Sequence, residues 1–208
     1  MSQINVNRVI SPTQAASNGP PIDIASNGNI SMDTDTVFVD STNERLGIGT
    51  ASPSRTLDIQ QDGGISFNAG IIFENCQITG SGLSGTVNHS VEIENARYYN
   101  GADSGNWAYN IRYSSSATLD SKMNTGETIN VSYVTNVGGS SYYQSSLQVD
   151  GSTRTVQWMD NQPPIQAGGG DSGSDPATTG FDVYSFAITK NGGNAFAILG
   201  VQTHFGAF

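Results

Sequence analysis

The chain has 208 residues and a mass of 21.8 kDa, enough for one sizeable domain and a short appendage but not for two full domains. Charged residues make up only 12% of it, Gly occurs 25 times, and the formal net charge is -10. This composition is unlike that of a helix-rich enzyme, and the acidity argues against nucleic acid or an anionic membrane as a partner. With 8 Phe, 8 Tyr and 2 Trp to build a core, the sequence predicts an all-β protein of short strands and tight turns.

Residues 1–35 are predicted to form a short, extended N-terminal segment. They contain one strand-like run, from Ile4 to Ile10, and turn signals that include Asn18-Gly19-Pro20-Pro21 and Asn27-Gly28. Little in this stretch can form a core of its own. It is therefore either a loose terminus or a segment that attaches to a neighbouring protein.

Residues 36–60 contain two short apolar strands separated by a Gly-Thr-Ala-Ser-Pro turn. Leu46 and Ile48 lie two positions apart, as do Leu57 and Ile59, so each strand has one narrow apolar face. We interpret the pair as a β-hairpin, which is too small to be stable alone. Because the chain holds no second copy, we expect these four side chains to lie at an interface between subunits. An ordinary hairpin in a monomeric sandwich is the alternative.

The same stretch resembles a motif of tailed-phage fibres. Residues 47–59 read Gly-Ile-Gly-Thr-Ala-Ser-Pro-Ser-Arg-Thr-Leu-Asp-Ile, similar to a recurring signature of tailed-phage fibre and other virion appendage proteins and of some surface adhesins. The resemblance implies an obligate homotrimer in which the hairpins trimerise. The opening Ile-Asn-Val-Asn-Arg-Val-Ile-Ser also resembles the starts of such proteins. It implies that residues 1–35 attach the chain to other virion proteins.

Residues 61–208 are predicted to form a C-terminal antiparallel β-sandwich, because turn signals recur throughout them. Strict alternation of apolar residues marks strands at 107–113, 129–133 and 184–188. An Asp-Gly pair at 150–151 and an Asn-Gly pair at 191–192 are typical of hairpin turns. One helical turn is expected between Thr118 and Thr125.

The order of elements in the last third resembles the jelly-roll head domain of phage fibre and baseplate proteins. A strand at 126–133 is followed by Val-Asp-Gly, Val-Gln-Trp, an Asn-Gln-Pro-Pro loop and Phe-Asp-Val-Tyr-Ser-Phe beginning at Phe181. The resemblance covers residues 125–208 and implies a jelly-roll-like sandwich.

No pattern in the sequence indicates catalysis, a cofactor or a metal site. His89 and His204 are the two histidines, and no Gly-x-Ser-x-Gly elbow accompanies them. Cys76 is the single cysteine, which excludes an internal disulfide and is expected to be a small buried side chain. We therefore expect a protein without enzymatic activity.

Aromatic side chains beside Gly-, Asn- and Ser-rich turns are the candidate contacts for a ligand or partner. They are Tyr98, Tyr99, Trp107, Tyr142 and Tyr143. Such side chains stack on sugar rings or anchor protein contacts. Adjacent strand residues point to opposite faces, so at most one of each tyrosine pair belongs to the core. We expect subunit contact first and contact with host surface glycan second.

These features predict a non-enzymatic structural component of a tailed-phage virion, a short tail-fibre or fibre-like homotrimer. Its start lacks the apolar region of a signal peptide, and no apolar run is long enough to cross a bilayer, so we expect synthesis in the host cytoplasm. Two alternatives remain: a capsid decoration or head-fibre protein, and a receptor-binding module for host glycan. Copy number per virion would separate the first, and a groove lined by exposed Tyr and Trp would indicate the second.

Overall fold

A computed structural model of the chain describes residues 8–9, 22–32, 36–60, 74–137, 142–161, 163 and 180–205. The described residues are mostly strand with one short helix, which confirms the all-β prediction. The chain divides into two compact units, Met1–Ile71 and Ile72–Phe208.

The first unit holds a six-stranded sheet, called here the N-terminal sheet, whose strands lie in chain order. Its strands are β1 (Arg8–Val9), β2 (Ile22–Ile24), β3 (Ile30–Met32), β4 (Val37–Asp40), β5 (Arg45–Ile48) and β6 (Leu57–Ile59). Neighbours from β1 to β5 are antiparallel, whereas β5 and β6 are parallel. Segments 1–35 and 36–60 thus contribute strands to the same sheet.

The hairpin predicted at β5 and β6 is wrong. Leu46 lies opposite Leu57 and Ile48 opposite Ile59, so the two strands run in the same direction, whereas hairpin strands are antiparallel. The sequence signals are the same in both cases: two short apolar strands and a Gly/Pro turn. The connection, residues 49–56, is longer than the two to five residues of most hairpin loops, and this length was the discriminating signal.

The second unit contains the remaining strands and the helix α1 (Leu119–Lys122). The strands are β7 (Cys76–Thr79), β8 (Gly85–Ser90), β9 (Ala96–Ala102), β10 (Trp107–Arg112), β11 (Thr128–Asn136), β12 (Gln144–Val149), β13 (Ser152–Arg154), β14 (Gln157–Trp158), β15 (Phe181–Gly192) and β16 (Ala195–Phe205). They form two sheets. Sheet I has the order β13-β12-β10-β8, and sheet II has the order β14-β16-β15-β11-β9-β7.

From β7 to β12 the chain alternates between the two sheets. Strands β7, β9 and β11 lie side by side in sheet II, strands β8, β10 and β12 do so in sheet I, and each of these neighbours is parallel. The chain therefore coils as in a solenoid, in which each turn contacts the next. The prediction of antiparallel neighbours is wrong for these strands. Their parallel arrangement does not match the antiparallel jelly roll. Loops such as 80–84 cross from one sheet to the other, and in sequence they look like hairpin turns.

Local elements follow the sequence more closely. Strands β10, β11 and β15 coincide with the predicted alternations, and α1 lies within the predicted helical turn. Asp150 and Gly151 form the turn between the antiparallel β12 and β13. The turn between β15 and β16 lies at 193–194 rather than 191–192, because Gly192 is still paired with Ala195.

The core of the second unit lies between sheets I and II. Sheet I contributes Trp107, Tyr109, Ile111, Leu147 and Val149, and sheet II contributes Tyr99, Val131, Tyr133, Tyr184, Phe186, Ile188 and Ile198. These side chains are buried and alternate along their strands with outward-facing residues.

Candidate functional site: exposed apolar sheet faces

One side of the N-terminal sheet is covered with apolar side chains. Paired residues of neighbouring strands share a face of a sheet, as do residues two apart on one strand. The register therefore places one set of side chains together, called here the apolar face. Its members are Ile30, Met32, Val37, Val39, Leu46, Ile48, Leu57 and Ile59.

Much of the apolar face is open to solvent in the single chain. Leu57 is 52% exposed and Ile48 is 37% exposed, while Leu46 is half-buried. The structure thus places the four predicted interface residues on one face, and three of them, Ile48, Leu57 and Ile59, are 36–52% exposed. Whether subunits meet there stays a prediction.

The opposite side of the N-terminal sheet, called here the polar side, is mostly polar apart from Phe38 and is covered by the connection between β5 and β6. Arg45 donates a hydrogen bond from Nη1 to the carbonyl oxygen of Pro53 at 2.8 Å, and Pro53 is buried. A Cβ atom on Gly47 would collide with the carbonyl oxygen of Thr50, so only glycine permits the close approach. Because the connection lies on this side, the apolar face is the side without a layer in the described part of the first unit.

Two carboxylates stabilise the loops on the polar side. Asp58 accepts hydrogen bonds from the backbone N–H and the hydroxyl of Ser54, which lower the pKa of its carboxyl. Asp40 accepts a hydrogen bond from the Asn43 amide at 2.7 Å, and this bond likewise lowers its pKa. Both aspartates are ionised at neutral pH and order the turns that they contact.

The predicted aromatic contacts are distributed differently from expectation. Trp107 and Tyr99 lie in the core, with Trp107 wholly inaccessible, so the prediction of ligand or partner contact is wrong for these two. Both residues sit at inward positions of their strands, which the sequence pattern around them did not distinguish from outward ones. Tyr98, Tyr142 and Tyr143 are half-buried. Tyr98 lies on the outer face of sheet II, where its ring is 5.9 Å from that of Phe181.

The carboxyl group of Asp103 is buried at one end of the core and has a strongly raised pKa. Asp103 accepts hydrogen bonds from the Leu83 backbone N–H and from the Thr135 hydroxyl. Burial raises the pKa of Asp103 to about 6, and the nearby charge of Asp182 adds to the shift. Asp182 is itself buried and lies 2.8 Å from Nδ1 of His204.

The two outer faces of the second unit differ in chemistry, and the sequence interpretation missed this. Outward positions of sheet I are mostly amides and hydroxyls, with Arg112 among them. Outward positions of sheet II carry no charged side chain among the described paired residues. They include Cys76, Ile78, Ala96, Tyr98, Asn130, Ser132, Val134, Phe181, Val183, Ser185, Ala187, Leu199, Val201, Thr203 and Phe205. The signal was available: 196–201 is a nearly continuous apolar run, typical of a strand covered on both faces.

A groove of about 800 Å³ crosses the outer face of sheet II. Small side chains, including Ser132, Ser185 and Ala187, line it, and Leu199 and Met159 are exposed beside them. Cys76 is exposed on the same face, so the expectation that it is buried is wrong. This face is thus open and weakly polar. Its paired strand positions carry no charge, whereas Glu74, two residues before β7, lines the groove with an exposed carboxylate.

Comparison with known proteins identifies no relative. No family model matches the chain, and neither a curated protein nor a solved structure does so. Within the described residues, no group of three or more His, Cys, Asp or Glu side chains is arranged to hold a metal ion. The described part of the chain also contains no helix with the length and hydropathy needed to cross a membrane.

Proposed function

We propose that this chain is a non-enzymatic structural subunit of a tailed-phage fibre or related virion appendage, and that it forms homotrimers through the apolar face of the N-terminal sheet. The observation that carries the proposal is the exposure of Ile48, Leu57 and Ile59 on a single-layer sheet. A sheet with one apolar side must bury that side against another layer. Among the described residues of this unit, the connection between β5 and β6 supplies a layer on the polar side and none covers the apolar face.

The energetic gain from assembly is large compared with the stability of such a small sheet. Complete burial of a Leu or Ile side chain contributes about 1.5–3 kcal/mol. Ile48, Leu57 and Ile59 are already about half to two-thirds buried in the single chain, so covering the remainder contributes roughly a third to a half of that value for each. Association would therefore add stability that the isolated sheet lacks. The threefold stoichiometry and the virion location rest on the resemblance of residues 47–59 to the fibre signature.

The proposal is tested by the mass of the full-length chain in solution. Light scattering should give three times the chain mass of 21.8 kDa. Ile48→Asp would bury carboxylates on the shared apolar face and should dissociate the assembly, because an unpaired buried charge is strongly unfavourable. Ala51→Asp is the matched control, since Ala51 is exposed in the connection on the opposite side.

The measured masses of the wild type and the two variants distinguish support for the proposal from its failure. A trimeric wild type that dissociates with Ile48→Asp but not with Ala51→Asp supports the proposal. A monomeric wild type overturns it, and so does an Ile48→Asp variant that keeps the wild-type mass. Circular dichroism of each variant reports whether the strands remain folded.

A further inference from the structure

We infer that the outer face of sheet II is a second surface on which copies of this chain contact one another. The inference goes beyond the proposed function, because it concerns a different unit and a different sheet. It follows from the contrast between the two outer faces of the same unit, their strand register and their charge.

The first step is the apolar character of the face. Ile78 is 66% exposed, and Leu199 and Phe205 are 57% and 51% exposed. They share the face with Val134 and Val183. The outer face of sheet I, on the other side of the same core, presents polar residues such as Thr86 and Asn88, both exposed. Exposed apolar side chains are unfavourable in water, so the difference between the two faces indicates that sheet II is covered in the assembled protein.

The second step is the charge. The chain has a formal net charge of -10, and identical acidic chains repel one another. Copies can approach closely only through a surface that brings no carboxylates together. The paired outward positions of both sheets lack carboxylates in the part of the chain that the structure describes, so charge permits a contact between copies at sheet II, and the apolar side chains there favour it over sheet I. A basic partner protein would instead be attracted to carboxylates, and Glu74 is the single one among the described residues that line the groove.

The third step is shape and size. Ser132, Ser185 and Val201 form one row across the central strands, and the small side chains of this row let a second layer approach. The strands of sheet II, at about 4.8 Å spacing and about 3.3 Å per residue, span a face on the order of 700 Å². A standard protein interface takes about 600–1,000 Å² from each partner. The face is therefore large enough to form a stable contact between copies.

The test uses the full-length chain and two matched substitutions. Ser185→Asp places a carboxylate in the middle of the sheet II face, and Thr86→Asp makes the same change at an exposed outward position of sheet I. Ser185→Asp should raise the concentration at which the assembly dissociates by about tenfold or more, whereas Thr86→Asp should leave it unchanged. Light scattering over a dilution series measures both. Equal behaviour of the two variants would overturn the inference.

Thiol labelling provides a second measurement if Ser185→Asp does not fold. In a Cys76→Ser background, Ser185→Cys should react with maleimide about tenfold more slowly at a concentration where the assembly forms than after dilution below it, whereas Thr86→Cys should react at the same rate at both concentrations. The dilution corrects for the partial burial of Ser185 within the single chain. A rate at Ser185→Cys that does not change on dilution would refute the contact. If Ile48→Asp dissociates the assembly while Ser185 is neither sensitive to charge nor protected, the proposed function stands and this inference fails. If Ile48→Asp leaves the assembly intact while Ser185 is sensitive to charge or protected, this inference stands and the proposed contact through the N-terminal sheet fails.

Discussion

The rings of Tyr109 and Tyr133 stack across the space between sheets I and II, with centroids 3.9 Å apart and planes inclined by 19°. Tyr109 comes from β10 and Tyr133 from β11, so this contact joins the two layers at the centre of the core. Tyr133 also stacks on Tyr184, with centroids 4.8 Å apart. Burial raises the pKa of Tyr109, Tyr133 and Tyr184 well above the usual value, so all three hydroxyls stay neutral at physiological pH.

We predict that the hydroxyl group of Tyr133, and not only its ring, stabilises the second unit. It accepts a hydrogen bond from Nε1 of Trp107 at 3.0 Å and donates one to Oε1 of Gln144 at 2.6 Å. Tyr133→Phe removes a partner from two buried groups and should lower the free energy of unfolding by about 1–3 kcal/mol. Urea unfolding followed by tryptophan fluorescence measures it, since both tryptophans, Trp107 and Trp158, lie in this unit.

Tyr98→Phe is the control for that measurement. Tyr98 is half-buried on the outer face of sheet II, and its ring contact with Phe181 is unaffected by loss of the hydroxyl. Its effect should stay within about 0.5 kcal/mol. A Tyr133→Phe variant no less stable than Tyr98→Phe would contradict the role assigned to the buried hydroxyl.

Gly47 is predicted to be indispensable for the parallel pairing of β5 and β6. A methyl group at this position would meet the backbone oxygen of Thr50, which no side-chain rotation can relieve. Gly47→Ala should destabilise the N-terminal sheet by about 1–3 kcal/mol through overpacking. Limited trypsin digestion detects this change, because Arg45 begins β5 and cleavage after it requires the strand to open. The rate of that cleavage should rise about tenfold when opening is in rapid equilibrium.

Gly193→Ala is the matched substitution. A Cβ atom on Gly193 would meet nothing within 4 Å. Cleavage after Arg45 should be unchanged in this variant. An unchanged rate in Gly47→Ala as well would show that the connection can move away from the sheet.

Strand positions could be predicted from sequence, whereas strand partners could not. The alternation in Trp107-Ala-Tyr109-Asn-Ile111 specifies a strand and its inward face, and β10 has both. Nothing in that pattern specifies that the neighbours of β10 in its sheet are β8 and β12, each reached through a strand of the other sheet. Alternation is a local property of one strand, but partner choice depends on contacts distant in sequence.

The sequence predicted the apolar face of the N-terminal sheet better than the outer face of sheet II, because the residues of the first face are closer together in the chain. Leu46, Ile48, Leu57 and Ile59 could be assigned to one face because each pair has period-two spacing and the strands are adjacent in sequence. For the outer face of sheet II, the sequence carries a signal in β16 alone, the apolar run at 196–201, and the rest of the face could not be identified because its members come from β7, β9, β11 and β15. Their shared lack of charge becomes visible only when the register aligns them.

The ammonium group of Lys190 is predicted to hold α1 against the end of β15. Lys190 is buried, and its Nζ donates hydrogen bonds to the carbonyl oxygens of Asp120 and Met123 and contacts the Asp120 carboxylate at 2.9 Å. Lys190→Met keeps the apolar stem but removes the donor to the two carbonyl oxygens and the charge partner of the Asp120 carboxylate, which keeps its hydrogen bond from the Asn194 N–H. It should lower the free energy of unfolding in urea by about 1–3 kcal/mol. Lys122→Met at the exposed end of α1 is the comparison and should cost less than about 1 kcal/mol. Equal decreases in the free energy of unfolding for the two variants would contradict the role assigned to Lys190.

Asp103 is predicted to make the second unit less stable as pH rises from about 4 to about 7. Burial raises its pKa in the folded chain to about 6, above the value of about 3.9 in an unfolded chain. Between these values the folded state binds more protons than the unfolded state, so the free energy of unfolding falls as pH increases. The full difference of about two pKa units corresponds to a destabilisation of the folded state by roughly 3 kcal/mol. This destabilisation is absent below about pH 4 and complete above about pH 7.

The contribution of Asp103 is isolated by Asp103→Asn, which can still accept a hydrogen bond from the Leu83 N–H while its amide donates to the Thr135 hydroxyl. Urea unfolding of both proteins at several pH values should show that the variant gains on the wild type as pH rises, whatever slope the other carboxylates impose on both. Glu92→Gln, at an exposed position, should run parallel to the wild type. A difference between Asp103→Asn and wild type that is constant across pH 4 to 7 would mean that the buried carboxyl does not take up its proton on folding.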